Sequence, residues 1–425
     1  MKPLLRNKET IVNIVGIILF KLILDFSYTA FVSHYYDGLG FHLYFGLFSY
    51  IEGWFWTLIL FLLLLGHKEH NLYTILLLSF LLMIVPVTTL YAFNNEPAVS
   101  FYSMVLPYTA MLLALSTKRV RIYYLPYGKK LALGFAFFMV MLVLAHYILT
   151  VGFEHMNFSL RKVYELRNSE YARASNAGLF GYFNSWVTKV LNFFLIAVAL
   201  LRKKYILALF FVAIQILLFG LSGHKSILFS LLLLGGLFIF DKFKYQTTIL
   251  IYSLNGILVS LLIYFFVFHQ PIIMPSILIR RVFFTPAYLN YVYFDYFSIH
   301  DHVYWSNSVL KSVFTYPYDV APVFMIGQFL GHPHMAANIG LFGAGYMQAG
   351  IFGIILYTLI VIVLINLIQQ FEGLPKWMIN AIILMPMLSL FISSDLPTTL
   401  LTHGLLIAIV ILYLYSTPKE NSNIK

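Results

Sequence analysis

About twelve apolar runs, most of them near the length of a membrane-crossing helix, follow one another along this chain. A spanning helix needs about 20 apolar residues, since each adds about 1.5 Å of rise across a hydrocarbon layer of about 30 Å. By that rule the spans fall near 11–31, 43–65, 72–92, 100–117, 131–151, 183–201, 205–222, 226–240, 247–268, 338–368, 377–394 and 397–415. The run 338–368 is long, and its Gly-rich first half is expected to be broken or re-entrant. Of the residues, 61% are hydrophobic and 10% charged, whereas soluble domains carry about 25% charged residues. A water-facing fold of this size cannot hide so much apolar surface. The fold class expected is therefore all-α, a polytopic membrane helix bundle of about 12 transmembrane helices, with 1–425 as a single integral membrane domain.

The same reading removes several functions. The chain has no cysteine, which excludes disulfides, thiolate nucleophiles and cysteine metal sites. It carries no phosphate-binding loop, dinucleotide fingerprint or zinc-protease helix motif, so ATP-driven transport and soluble-cofactor redox chemistry have no support. The net charge of +11 is topology signal and not a sign of nucleic-acid binding. The basic start, 1–10, runs into the first apolar segment without a small-residue cleavage site, so no cleaved signal peptide is expected.

Lys and Arg set the orientation. With the N-terminus inside, the short cytoplasmic loops hold Lys68, Arg119, Arg121, Lys129, Lys130, Arg202, Lys203, Lys204, Lys242 and Lys244, as the positive-inside rule requires. Both termini are then cytoplasmic. Two extracytoplasmic segments are long, about 152–182 and 270–337, and loops of that length without local structure are usually functional or disordered. Neither is of low complexity, which favours function. The second is rich in aromatics, from Phe283 to Trp305, and is expected to lie partly at the membrane surface.

Basic charge on this outer face is the most unusual feature. The stretch LRKVYELRNSEYARASNAG carries Arg161, Lys162, Arg167 and Arg173, SILIRRVFFTP carries Arg280 and Arg281, and the turn LSGHKS carries His224 and Lys225. Guanidinium groups match phosphate oxygens bidentately and stay charged, so these residues suit an anionic lipid head or a lipid-linked diphosphate. The plainer alternative is that they neutralise Glu154, Glu165 and Glu170 or snorkel to lipid phosphates. Gly223 permits the tight turn, and His224 could also move a proton or simply cap a polar hairpin. Outer acids that could serve as a base are Glu154, Glu165, Glu170, Asp295, Asp301 and Asp319. His300, His302, His332 and His334 match no trusted zinc spacing, so no metal is assigned. Within helices, Lys21 and Asp25 sit four apart on one face and are expected to pair; Glu52 is a further buried charge, and Lys189 could reach a cavity. Gly340, Gly343, Gly345, Gly350 and Gly353 favour close helix packing over a substrate groove.

The order of RNSEYARASNAGLFGYFNSWVTKVLN, GLSGHKSILFSLLLL, RRVFFTPAYLNYVYFDYFS, YPYDVAPVFMIGQFLG and AANIGLFGAGYMQAGIFG resembles the bacterial polysaccharide polymerases of the Wzy type. The resemblance covers roughly 150–370 and, through helix number, the whole chain. It implies a glycosyltransferase that polymerises O-antigen, capsule or exopolysaccharide repeat units at the outer leaflet of the bacterial plasma (inner) membrane. A growing glycan on undecaprenyl diphosphate would pass to a lipid-linked repeat unit, without a metal or other cofactor and with arginines holding the diphosphate. Membrane lipids and a chain-length regulator protein are the further partners implied; nucleic acid is not. Arg280 and Arg281 match the arginines before the FxxP element, and Arg173 matches the arginine of the earlier loop, with Arg167 and Lys225 as further diphosphate contacts. Ala287 follows Pro286 where many relatives carry glycine. The catalytic acid–base role remains open among Asp295, Glu170 and His224. From another class, a flippase or transporter of lipid-linked oligosaccharide is the rival, and would show related halves and a charged midplane cavity. The related O-antigen ligase differs only in its acceptor.

Overall fold

The computed structural model describes residues 8–115, 123–159, 178–268 and 273–417, without the side chains of 225, 226 and 229. Among the described residues the chain is all-helical, 76% helix with no strand. Among the described residues, eight helices are long and apolar enough to cross a membrane: Lys8–Leu39, Leu47–Leu65, Tyr73–Phe93, Gly128–Thr150, Leu179–Leu201, Tyr205–Ser222, Gln246–Phe268 and Leu341–Gln369. Shorter apolar helices, Ala98–Leu113, Ser230–Phe240, Lys376–Ile392 and Leu405–Tyr415, lie in the remaining apolar runs but fall below the length of a span, so eight spans stand where about twelve were expected. Pro107 and Pro386 lie inside two of these, where each removes a backbone donor.

The chain falls into two compact units. One comprises 1–117, 244–366 and 390–396; the other comprises 118–243, 367–389 and 397–425.

In the first unit the 73–93 helix is the most enclosed of the eight, with 89% of its apolar window buried. The 8–39 helix lies along the 246–268 helix. Gly16 makes that possible, because a Cβ there would stand 2.8 Å from Ile251. Asn255 donates to the Gly16 carbonyl at 2.9 Å, and Thr248 to Asn13 at 2.6 Å. Gly40, at φ 89°, ends the first helix; a Cβ there would collide with the Tyr288 hydroxyl. Lys21 and Asp25 pair as the spacing implies, at 2.5 Å, and Thr89 completes the cluster by donating to Asp25 at 2.8 Å. Glu52 accepts from the hydroxyls of Tyr91 and Tyr102.

Residues 270–337, read from sequence as a long loop, contain two helices. A nine-residue π-helical stretch, Ser276–Phe284, runs straight into Thr285–Ile299, and Pro322–Phe329 forms a shorter helix. The aromatic side chains that suggested a surface segment are buried in this unit: Phe283, Phe284, Tyr291, Tyr293 and Phe294 are each 3% exposed or less. Their polar atoms are satisfied. Tyr291 donates to the Val87 carbonyl and Tyr293 to that of Ala337, while Asn290 donates to the Pro286 carbonyl and accepts from the Gly343 amide.

The Gly-rich helix 341–369 is broken, as its composition suggests. Gly350, at φ 61° and ψ −144°, takes a conformation open to glycine almost alone. Close packing accompanies the break, since a Cβ on Gly340 would strike the Phe391 carbonyl.

The second unit is organised around a π turn, Val187–Leu191, within the 179–201 helix. The looser turn frees the Thr188 carbonyl, which accepts from Gln215 at 2.8 Å. Gln215 in turn accepts from Asn192 at 2.7 Å, so these buried amides fix the 205–222 helix against the turn.

Candidate functional site

A cavity of about 500 Å³ opens within the second unit. Its polar wall includes Asn184, Ser185, Thr188, Lys189, His224 and Thr402. Lys189 belongs to the π turn, and its Nζ lies 2.5 Å from Nδ1 of His403. An ammonium can only donate, so that ring nitrogen accepts and His403 is neutral. The His403 turn is held in place from two sides: its amide donates to the Thr398 carbonyl at 2.9 Å, and Trp186 Nε1 donates to the Leu401 carbonyl at 2.6 Å. Gly223, at φ 68°, makes the tight turn expected of SGHKS and sets His224 at the start of the next helix, beside the cavity. Lys225 opens that helix, but its side chain lies outside the described residues, as do Arg167, Glu170 and Arg173 together with Arg161 and Lys162.

The first unit holds Arg280, Arg281 and Asp295. Arg280 is half-buried, with its Cζ 4.3 Å above the centre of the Tyr36 ring and its Nε and Nη2 each 3.3 Å from Ser276 Oγ. This is a cation–π contact in which the ring face offers negative charge. Burial lowers the guanidinium below its ordinary value, Tyr36 opposes the shift and Arg281 adds to it; the group stays charged at neutral pH. Arg281 is exposed.

An aromatic series leads from Tyr36 into an apolar groove. The Tyr36 ring meets Phe31 at 5.8 Å, Phe31 meets Phe265 at 4.8 Å, and Phe26 meets Phe266 at 5.9 Å. The groove, about 450 Å³, runs between the 8–39 and 246–268 helices past Leu19, Leu22, Phe26, Val259, Ile263 and Phe266. Phe26 and Tyr36 are ten residues apart, roughly 15 Å along a helix.

Asp295 is exposed on the same long helix as Arg280, about 20 Å further along by residue count, so one phosphate cannot touch both. Its neighbour is Glu96, which sequence reasoning passed over as part of a short turn. Glu96 accepts from Asn94 Nδ2 at 2.6 Å. Burial pushes the Glu96 carboxyl up to about 8, the Asn94 bond opposes this, and the Asp295 charge adds to it.

Asp395, also passed over, stands in the short turn between the 376–392 and 396–401 helices. Its Oδ1 accepts from the Tyr357 hydroxyl at 2.6 Å and the Leu396 amide at 2.7 Å, and its Oδ2 from Gln348 at 2.9 Å. Burial raises this carboxyl while Tyr357, Gln348 and the Leu396 amide pull it down. Gln348 also accepts from the Trp305 amide at 2.6 Å, and Trp305 Nε1 donates to Tyr357 at 2.8 Å. The segment around Tyr304 and Trp305, both at positive φ, is thereby laced to the break in the 341–369 helix.

The histidines of the 270–337 segment have separate surroundings. His300 stacks on Tyr296 at 4.0 Å, and His302 lies against Gly350. Among the described residues no three His, Asp or Glu side chains are grouped as a metal site.

The chain matches no protein-family model, no curated protein and no solved structure. Fold and composition define an all-helical protein whose apolar helices suit a membrane.

Proposed function

We propose that this protein is a membrane glycosyltransferase that polymerises lipid-linked oligosaccharide repeat units at the outer leaflet of a bacterial inner membrane, with both termini in the cytoplasm. The observation that carries the reading is a half-buried arginine, Arg280, stacked on Tyr36 beyond one end of an apolar groove. A lipid with an anionic head and a long apolar tail has that same order of charge and hydrocarbon. The groove takes the first part of the undecaprenyl chain, and Arg280 with Arg281 takes the diphosphate.

In the reaction an acceptor hydroxyl attacks C1 of the donor sugar, the C1–oxygen bond to diphosphate breaks, and undecaprenyl diphosphate leaves with the bonding pair. The hydroxyl proton passes to a base, for which Asp295 is the candidate in the same unit as Arg280. The main catalytic demand is the charge growing on the leaving diphosphate. Fixed cations in a partly desolvated place meet it better than water does. Because Asp295 is far from Arg280 along their helix, it serves that base only if the acceptor sugar spans the distance.

A transporter reading draws on one observation, the interruption of the 341–369 helix at Gly350, since discontinuous helices line many transport sites. Deletion in the parent cell separates the two. Single repeat units on the surface without long chains support the polymerase; loss of all surface units supports the transporter.

A further inference from the structure

Among the described residues, the cavity of the second unit contains a cation without a matching anion. Lys189 is a half-buried amine whose hydrogen-bond partner is a neutral imidazole, and no carboxylate of the described residues pairs with it. An ammonium taken out of water loses several kcal/mol of hydration, by order of magnitude, unless an opposite charge replaces that water. Lys21, the other lysine enclosed by helices, has such a partner in Asp25. Lys189 instead faces open volume of about 500 Å³.

The rest of the wall agrees in sign. The helices starting at Leu179 and Lys225 both begin at this cavity, through Gly178 and His224. Helix starts carry partial positive charge on free amide groups. Ser185 and Thr402 add hydroxyls, and His224 adds a ring that can donate. No acidic side chain lines the cavity among the described residues.

We propose that this cavity binds a phosphate group, with Lys189 as the charge that holds it and His403 fixing where the amine points. The inference does not depend on the glycosyltransferase reading, because Lys189 and His403 have no part in that reading and lie in the other unit. The phosphate could belong to a membrane lipid head or be free in solution, and the test distinguishes these.

The experiment uses the full chain in detergent. Binding of inorganic phosphate and of farnesyl phosphate is measured by calorimetry, with farnesol as the neutral control. Expected is binding of at least one phosphate ligand and none of farnesol. In an Arg280→Gln background, which removes the guanidinium assigned above to the prenyl diphosphate, Lys189→Met should weaken that binding about tenfold or more and Lys189→Arg should largely restore it. Binding of both ligands assigns a site for phosphate as such; binding of farnesyl phosphate alone assigns a lipid head. A second measurement uses unmutated protein. Pyridoxal phosphate, trapped with borohydride, should label Lys189, and inorganic phosphate or farnesyl phosphate should protect it. Equal binding by folded Arg280→Gln protein with and without Lys189→Met, or labelling that spares Lys189, overturns the proposal. Full-length polymer in cells that lack this chain, with phosphate binding by the purified protein intact, would count against the function proposed above and leave the phosphate site standing.

Discussion

Gln348 and Asp395 meet where two helices are interrupted: the amide of the first donates to Oδ2 of the second at 2.9 Å. Gln348 is fully buried, and its oxygen accepts from the Trp305 amide, so one side chain ties three stretches of the first unit together. Asp395→Ala leaves the Tyr357 hydroxyl and the Gln348 amide without their acceptor. The expected loss is about 2–4 kcal/mol, since an unsatisfied buried donor costs about 1–3 kcal/mol and more when its partner was charged. Asp395→Asn should lose less. Thermal unfolding gives the order, and a shift in Trp305 emission, seen against a Trp305→Phe control, reports release of the segment.

Arg280→Ala and Arg281→Ala should each reduce chain extension, by about 10–100-fold for Arg280, the value of charge-assisted hydrogen bonds to phosphate. Arg280→Lys should rescue poorly, because an ammonium lacks the planar fork and stacks less well on Tyr36. Glycan ladders from cells or membranes read the result, with protein level in the membrane as control. Full-length ladders in both alanine variants would remove the diphosphate role of this pair.

The Glu96 carboxyl predicts a pH dependence of stability. Its folded value, about 8, lies above the ordinary 4.5, so between these values the folded chain keeps a proton that the unfolded chain releases. The contribution is complete below about 4.5 and is lost as pH rises through about 8. Melting temperature should fall across that window through this group. Glu96→Gln, which keeps the shape of the carboxyl and an acceptor oxygen for Asn94 without the charge, should flatten the profile and be the more stable protein at the alkaline end.

Gly350→Ala should destabilise the first unit by about 1–3 kcal/mol, because φ 61° with ψ −144° is closed to residues bearing a Cβ. His302 adds to the penalty, with its Nε2 3.0 Å from where that carbon would stand. Chemical or thermal denaturation in detergent measures the difference.

What the sequence disclosed follows from what hydropathy and short spacing report. Apolar runs located the long helices, Gly223 located its turn, and the four-residue spacing of Lys21 and Asp25 anticipated their ion pair. The helix 276–299 escaped because hydropathy reads it as too polar: Arg281 and Asp295 are exposed, Arg280 is half-buried, and the buried Asn290 has its amide satisfied by Pro286 and Gly343. Lys189 stood out as a charge inside an apolar run, but its partner His403 is 214 residues away. Asp395 and Glu96 each looked like a lone acid in a short turn. Their meaning lies in partners that only folding brings near, among them Tyr357 and Gln348 for the first and Asp295 for the second.

The wide-turned stretch Ser276–Phe284 makes residue count a determinant of aim. Each residue of an α-helix advances the side chain by about 100°, and a π turn takes up one extra residue without shifting the helix that follows. Removing one residue before Arg280 would tighten that stretch and swing the guanidinium off the Tyr36 ring, while Asn290 and Tyr293 beyond it kept their places. A family of such chains could thus redirect this arginine by gaining or losing a single codon, leaving the surrounding scaffold as it is.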